Sequence, residues 1–347
     1  MSFLFKSRAA EPPAMTLEGI LGPNSRLDEA EAIAITRPDA LAVSADGALL
    51  ISSGSSVWSA DRWGDMPSPW IVLDHPVTAL AVSPGGLVAV GLENGEVRIH
   101  NRQGQSLLWA APATADAGCA CDCLFLSEDE IAVVRNGYTC ANEALAMAPW
   151  DAARTGSVTA QTRDGATRVI SRNLSCPMGI CRDESGGLIV TELDTTRAID
   201  TSGRVLRGGF PAYLGRLRKT PQGYLLACLS RRDPLIEFLR TEHGFVDEMK
   251  ATIDPRHWIS PRASPEFSHD FPIELGATRL FGEIKPWAPS FSYGLLITLD
   301  ETLMPTGSLQ SRANGRRHAI SDAVIWNGDV IAVSQASGEI LNLGPLT

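Results

Sequence analysis

Three cysteines stand at alternate positions in Gly118-Cys-Ala-Cys-Asp-Cys-Leu-Phe125. In an extended chain Cys119, Cys121 and Cys123 project to one side, because strand side chains alternate with period two. A soft metal such as Zn2+ would need about four N or S ligands there. On paper Cys121, one of its neighbours, Met178 or Cys176, and a histidine supply them, but no Cys-x-x-Cys pair or paired-histidine motif supports the set. A nucleophilic Cys121 would need a base to form its thiolate. Asp122 alternates to the other face, which leaves His318. The spacing alone invites a metal, but without such partners the three cysteines read better as small apolar side chains lining a pocket.

A second constellation is His318 with Asp322, at the start of an apolar run. An imidazole and a carboxylate converging on an apolar cavity would do general acid–base work, with pKa values displaced by desolvation. The plainer alternative is a carboxylate capping turn amides and a histidine in a loop beside Arg316 and Arg317. Asp39, after Pro38, opens another apolar run and reads as a ligand, a base or an Asx turn. His257 and His269, the latter beside Asp270, read as solvated loop residues. The chain carries no Gly-rich phosphate loop and no Ser-centred nucleophile elbow.

The elements that hold these residues repeat. DALAVSADGALLIS from Asp39 and VTALAVSPGGLVAVG from Val77 each show an apolar run, a Gly-containing polar turn and a second apolar run. CDCLFLSEDEIAVV from Cys121, PMGICRDESGGLIVTE from Pro177, YLGRLRKTPQGYLLACLS from Tyr213 and ISDAVIWNGDVIAVS from Ile320 follow the same scheme. Each copy is a hairpin, since Ala-Asp-Gly, Pro-Gly-Gly, Pro-Gln-Gly and Trp-Asn-Gly are turn chemistry. Starts roughly 35 to 55 residues apart match four-stranded propeller blades. The expected fold is an all-β, six-bladed β-propeller over 31–347, with an N-terminal extension over 1–30. A wide gap before the last copy, about 236–289, predicts a helical and Pro-rich insertion that covers a channel mouth or packs on the rim.

The bulk numbers fit that reading. The chain has 347 residues, 44% hydrophobic and 20% charged, with a formal net charge of −10. No basic stripe with interleaved aromatics marks a nucleic-acid partner, and no basic face marks an anionic membrane. No apolar run of about eighteen residues reads as a spanning helix. The N-terminus makes a poor signal peptide, its apolar patch being broken by Lys6 and Arg8. Seven cysteines without an even framework read as reduced thiols, and the expected location is cytoplasmic.

Two stretches carry a resemblance. CPMGICRDESGGLIVTELDTTRAI with GGFPAYLGRLRKTPQGYLLACLSRRDPLIEFL, and SYGLLITLDETLMPTGSLQSRANGRRHAISDAVIWNGDVIAVS, resemble the strictosidine synthase-like family of the wider gluconolactonase and regucalcin superfamily. The likeness is clear from about Arg154 to the end and weaker before. It implies a site at the channel mouth on a small organic substrate. In hydrolytic members that site holds Ca2+, a hard cation that takes oxygen ligands. The corresponding positions here are Asp39, Cys121 with Asp122 beside it, Met178, and Pro211-Ala212-Tyr213. Only Asp39 clearly keeps an oxygen ligand, and calcium does not favour sulfur. The expectation is therefore a channel without the family metal, Ca2+ being the fallback cofactor, with Cys121, Met178 and Tyr213 lining the substrate pocket. The family's glutamate in the closing blade matches Asp322, which with His318 and Asp39 makes the candidate catalytic set. Three functions follow as expectations: a hydrolase or lyase of a lactone, ester or related ring; a metal-independent condensing enzyme joining an amine and an aldehyde; or a non-catalytic binding propeller.

Overall fold

The computed structural model describes residues 15–109, 118–151, 153–265, 279–280, 283–288 and 290–346. Six four-stranded antiparallel sheets form the blades of a six-bladed propeller. The innermost strands are Leu41–Val43, Val77–Val82, Ala120–Ser127, Pro177–Arg182, Ala212–Thr220 and Ile320–Trp326, for blades one to six. The hairpins form where the turn residues permit them. Asn327 and Gly328 both take positive φ, 52° and 91°, and Trp326 pairs directly with Asp329 across a two-residue turn. Such a turn matches the right-handed strand twist and selects Asn-Gly.

Inner and second strands are buried along nearly their whole length, because neighbouring blades cover both faces. The core is accordingly divided among the six junctions between blades. Ala42, Leu50 and Val90 fill the junction of blades one and two, for example, and Ile180, Val134 and Val190 that of three and four. Hydroxyls stitch neighbouring blades across those junctions: Thr191 Oγ1, on the second strand of blade four, donates to Gly215 O at 2.7 Å, and Thr78 Oγ1 to Ala120 O at 2.9 Å.

The ring is closed by the N-terminal region. Strand Glu31–Ala34 adds to Glu339–Pro345 as the outermost strand of blade six. Before it, residues 15–30 run back over blades five and six rather than away from them. Leu27 is fully buried among Leu225, Leu296, Ile320 and Leu341, and Leu21 joins the junction of blades four and five.

The helical insertion precedes the last blade, and it springs from inside blade five, between strands Gly223–Arg231 and Gly294–Leu299. Its first helix, Pro234–Leu239, starts where Asp233 accepts from Leu235 N at 2.8 Å and proline takes the first turn. A second insertion, unexpected from the sequence, lies between the corresponding strands of blade three and carries helix Ala141–Met147. The two meet: Trp150 packs with Ile236, Met249 and Trp258, and its indole donates to Ser260 Oγ at 2.8 Å.

The buried position of Leu27 generates a test. Leu27→Ala should lower stability by about 2–5 kcal/mol, the usual range for a buried leucine. Chemical denaturation checks it, and a loss under about 0.5 kcal/mol, as for an ordinary surface site, would show that the segment is not part of the core.

Candidate functional site

Five of the six inner strands, all but that of blade one, carry an irregularity near the channel. The ladder skips one residue at Thr78, Cys121, Met178 and Ser321, and again around Gly215-Arg216. These are β-bulges, which leave a residue outside regular pairing and change the phase of the side chains that follow. The bulge at Cys121 corrects the expectation that the three cysteines share a side. Cys119 and Cys121 pack toward blade four, whereas Cys123 packs toward blade two with Phe125 and Ala79. The same shift turns Asp122 inward. Burial raises the Cys119 thiol to about 12 and the Cys121 thiol well above its ordinary value. Cys121 Sγ instead donates to Pro177 O at 3.2 Å. The three thiols thus do not converge on one point, and Cys119 and Cys121 border a small space together with Met178.

The channel axis is occupied by two arginines from blade five. Arg216 Nε donates to Cys121 O at 3.0 Å. Its Nη1 donates to Asp39 O at 2.9 Å and to Asp39 Oδ1 and Ser321 O at 3.0 Å each, and Nη2 donates to Thr78 O. Arg218 forks between two carboxylates. It meets Asp122 at 2.8 and 2.9 Å, and each oxygen of Asp322 at 3.0 Å. Asp122 and Asp322 also each accept a backbone N–H from the next blade, Ile180 N at 2.9 Å and Leu41 N at 3.1 Å.

This arrangement revises the candidate catalytic set. Asp322 is fully buried. Burial raises its carboxyl above the ordinary range, and Arg218 and Arg216 oppose that rise. With a guanidinium on both oxygens, the group is one half of an ion pair and not a base facing substrate. His318 is fully buried and does not reach the channel. It lies between blades five and six, its Nδ1 3.0 Å from Ser292 Oγ and its Nε2 2.9 Å from Arg312 O. Burial lowers its pKa, so it is a neutral structural imidazole. Tyr213 is likewise sealed, donating to Glu237 Oε1 at 3.1 Å beneath the insertion helix. Of the six candidates, Asp39, Cys121 and Met178 do come together, around a space of about 10 Å³ above Arg216. That volume holds about one water.

Asp39 also belongs to a wider opening. A cleft of about 220 Å³ is lined by Arg37, Asp39, Thr78, Glu93, Cys140, Asn142 and Gln335, over blades one, two and six. The rest of the mouth is closed by helix Ala141–Met147, whose Ala144 and Leu145 pack on Met178, Tyr213 and Leu229. Asp39 Oδ1 accepts from Arg216 and, at 2.9 Å, from Gln335 Nε2. Its other oxygen has no partner among the described residues, and neither does the half-buried Glu93 carboxylate. Sequence reasoning missed Arg216, Arg218 and Glu93. The two arginines did leave a signal: AYLGRLRKT places them two apart in a strand otherwise expected to be apolar.

The positions at which the resemblance expects Ca2+ do not fit that ion. Cys121 and Met178 offer sulfur, Ala212 offers nothing, and the oxygens that point inward are engaged by the Arg216 guanidinium. Among the described residues no three His, Cys, Asp or Glu side chains group as metal ligands. His257 is exposed, and His269 and Asp270 lie outside the described residues. No helix among the described residues is long and apolar enough to cross a membrane.

No protein-family model matches the chain, and no curated protein matches it in sequence. Solved structures do match in fold. One is a gluconolactonase of Xanthomonas campestris, with TM-score 0.54 at 11% identity over 97% of this chain and 96% of that one. Another is a protein assigned as a gluconolactonase, with TM-score 0.52 at 12% identity over 91% and 93%. The neighbours are gluconolactonase-like six-bladed propellers, and at this identity the likeness is one of fold.

Two outcomes follow. Asp322→Asn should cost about 3–5 kcal/mol of stability, as expected when one partner of a buried pair is removed. A variant that melts with the wild type would return Asp322 to the catalytic candidates. Asp194, beside the insertion, supplies a pH test. Burial raises its carboxyl to about 6 from 3.8, with Arg240 and Ser175 opposing. The folded state then holds more protons than the unfolded one between those values, so this group's contribution to stability falls as pH rises from about 4 to about 6. The melting temperature of Asp194→Asn relative to wild type should therefore climb over that interval and level off above about pH 7; a flat difference would contradict the shift.

Proposed function

We propose that this chain is a small-molecule propeller enzyme of the lactonase type, which opens an oxygen-rich ring or ester in the mouth cleft without a bound metal. The observation that carries the reading is the cleft itself. It offers carboxylate oxygens on Asp39 and Glu93 that have no partner among the described residues, with the donors Arg37 and Asn142 in the same lining. At about 220 Å³ it is smaller than a typical drug-sized pocket and suits a compact polar molecule. The gluconolactonases among the structural neighbours share the scaffold and lend the reaction class, which one fold does not by itself decide.

In this proposal the roles follow from charge. Asp39 is paired through one oxygen with Arg216, which leaves its other oxygen to accept hydrogen bonds from substrate hydroxyls. Glu93, which has no ion-pair partner among the described residues, acts as the general base. It takes a proton from water as the water oxygen bonds to the carbonyl carbon. The ester C–O bond then breaks, and the proton passes from Glu93 to the departing alkoxide. Arg37 and Asn142 donate to the carbonyl oxygen as charge develops there. The seven cysteines are free thiols in the fold, which accords with a proposed reducing compartment such as the cytoplasm.

The condensing reaction is not carried forward, since it would need the Asp322 carboxylate to face substrate. A second reading, a binding propeller, is favoured by one specific finding: both expected acid–base groups, Asp322 and His318, are fully buried in structural contacts. A panel of sugar-type lactones and aryl esters, assayed in EDTA, separates the two. Turnover that falls about 10²-fold or more in Glu93→Gln supports the hydrolase. Saturable thermal stabilisation without product would establish the binder, and turnover that EDTA abolishes would overturn the metal-free mechanism.

A further inference from the structure

The bulges have a consequence for the channel axis. A bulged residue lies outside the regular ladder, and a buried backbone carbonyl left without a partner is costly. Three such carbonyls, those of Thr78, Cys121 and Ser321, come from blades two, three and six and are directed inward. The Asp39 carbonyl and carboxylate add two further oxygens from blade one. Five oxygens on four blades make a strongly electronegative ring, and Arg216 at its centre is only 4% exposed. Polar oxygens gathered this way away from water demand a cation or a set of donors.

We propose that Arg216 is a covalently supplied cation, its guanidinium taking the place on the channel axis that would otherwise call for a bound ion, and that removing it leaves a binding site for small guanidinium compounds. The shape of the group suits the ring. Its N–H donors spread in a rigid fork and reach oxygens on several blades at once, whereas an ammonium offers three donors from one point. Gly215, just before it, lets the strand lie close: a Cβ there would sit 3.1 Å from Ala227 O. The surrounding charge also favours the cation. Burial opposes it, but Asp39, Asp322 and Asp122 more than compensate and hold the guanidinium above its ordinary pKa. Arg218 then completes a second tier by joining Asp122 to Asp322. The inference is independent of whether the cleft hydrolyses or merely binds its ligand, because its readout is stability and not turnover.

The test compares Arg216→Ala, Arg216→Lys and Arg216→Met with the wild type by thermal melting. The wild type should be indifferent to millimolar Ca2+ and to EDTA. Arg216→Ala should melt lower by on the order of 10 °C. Millimolar methylguanidinium should recover part of that loss saturably, where equal urea or potassium chloride does not. Arg216→Lys, which keeps the charge, should melt above Arg216→Met, which keeps only the volume. The proposal is overturned by a wild type that Ca2+ stabilises saturably, or by Lys and Met variants of equal stability. It is equally overturned by a Lys variant that fails to fold, or by a folded Ala variant that methylguanidinium does not rescue.

Discussion

The constraint on which this propeller depends is the convergence of six inner strands on one axis. Close to that axis five of the six strands bulge, and carbonyls turn away from the ladders into a space too narrow for bulk water. Two arginines from blade five answer the resulting demand. Arg216 gathers the oxygens of blades one, two, three and six, and Arg218 ties blade three to blade six through Asp122 and Asp322. The two guanidinium groups face three carboxylates, so the charges are closely but not fully balanced. Asp39, nearest the solvent, is the carboxylate that keeps an oxygen for other use.

That arrangement decides where function can lie. A channel filled by guanidinium groups has no room for substrate, and a helical cap closes the mouth over blades three to five. What stays open at the mouth, among the described residues, is the cleft over blades one, two and six, with Glu93 and Asp39 in its wall. The proposed site is thus displaced from the axis by the interactions that stabilise the axis. A buried salt-bridge network of this kind does not by itself add much stability over an apolar core, but breaking it by halves is expensive. Residues that looked catalytic because they were polar in an apolar setting, Asp322 above all, are of this structural kind.

The blade pattern was legible in the sequence because two local signals repeat: period-two apolar runs and turns such as Trp326-Asn327-Gly328-Asp329, whose residues tolerate positive φ. What was not legible depends on phase and on distance. A single bulge at Cys121 separates Cys123 from its two neighbours and swings Asp122 inward, and alternation alone cannot reveal it. His318 stands four residues from Asp322, yet it packs between blades while Asp322 reaches the axis. Helix Ala141–Met147 is only seven residues long, too short to show a helical period against its surroundings. Leu27 was assigned to an extension because its partners, such as Ile320 and Leu341, are far away in the chain. By contrast Arg216 and Arg218, which the sequence reading passed over, did leave a signal in their conflict with an otherwise apolar strand.

The central claim is that a side chain, and not an ion, provides the positive charge on the axis. A crystal structure of the wild-type protein grown with Mn2+, a strong anomalous scatterer that accepts oxygen ligands, tests it most directly. The account predicts continuous density for the Arg216 guanidinium between the carbonyls of Thr78, Cys121 and Ser321, and no anomalous peak on the axis. An anomalous peak there, with Arg216 swung aside, would contradict it.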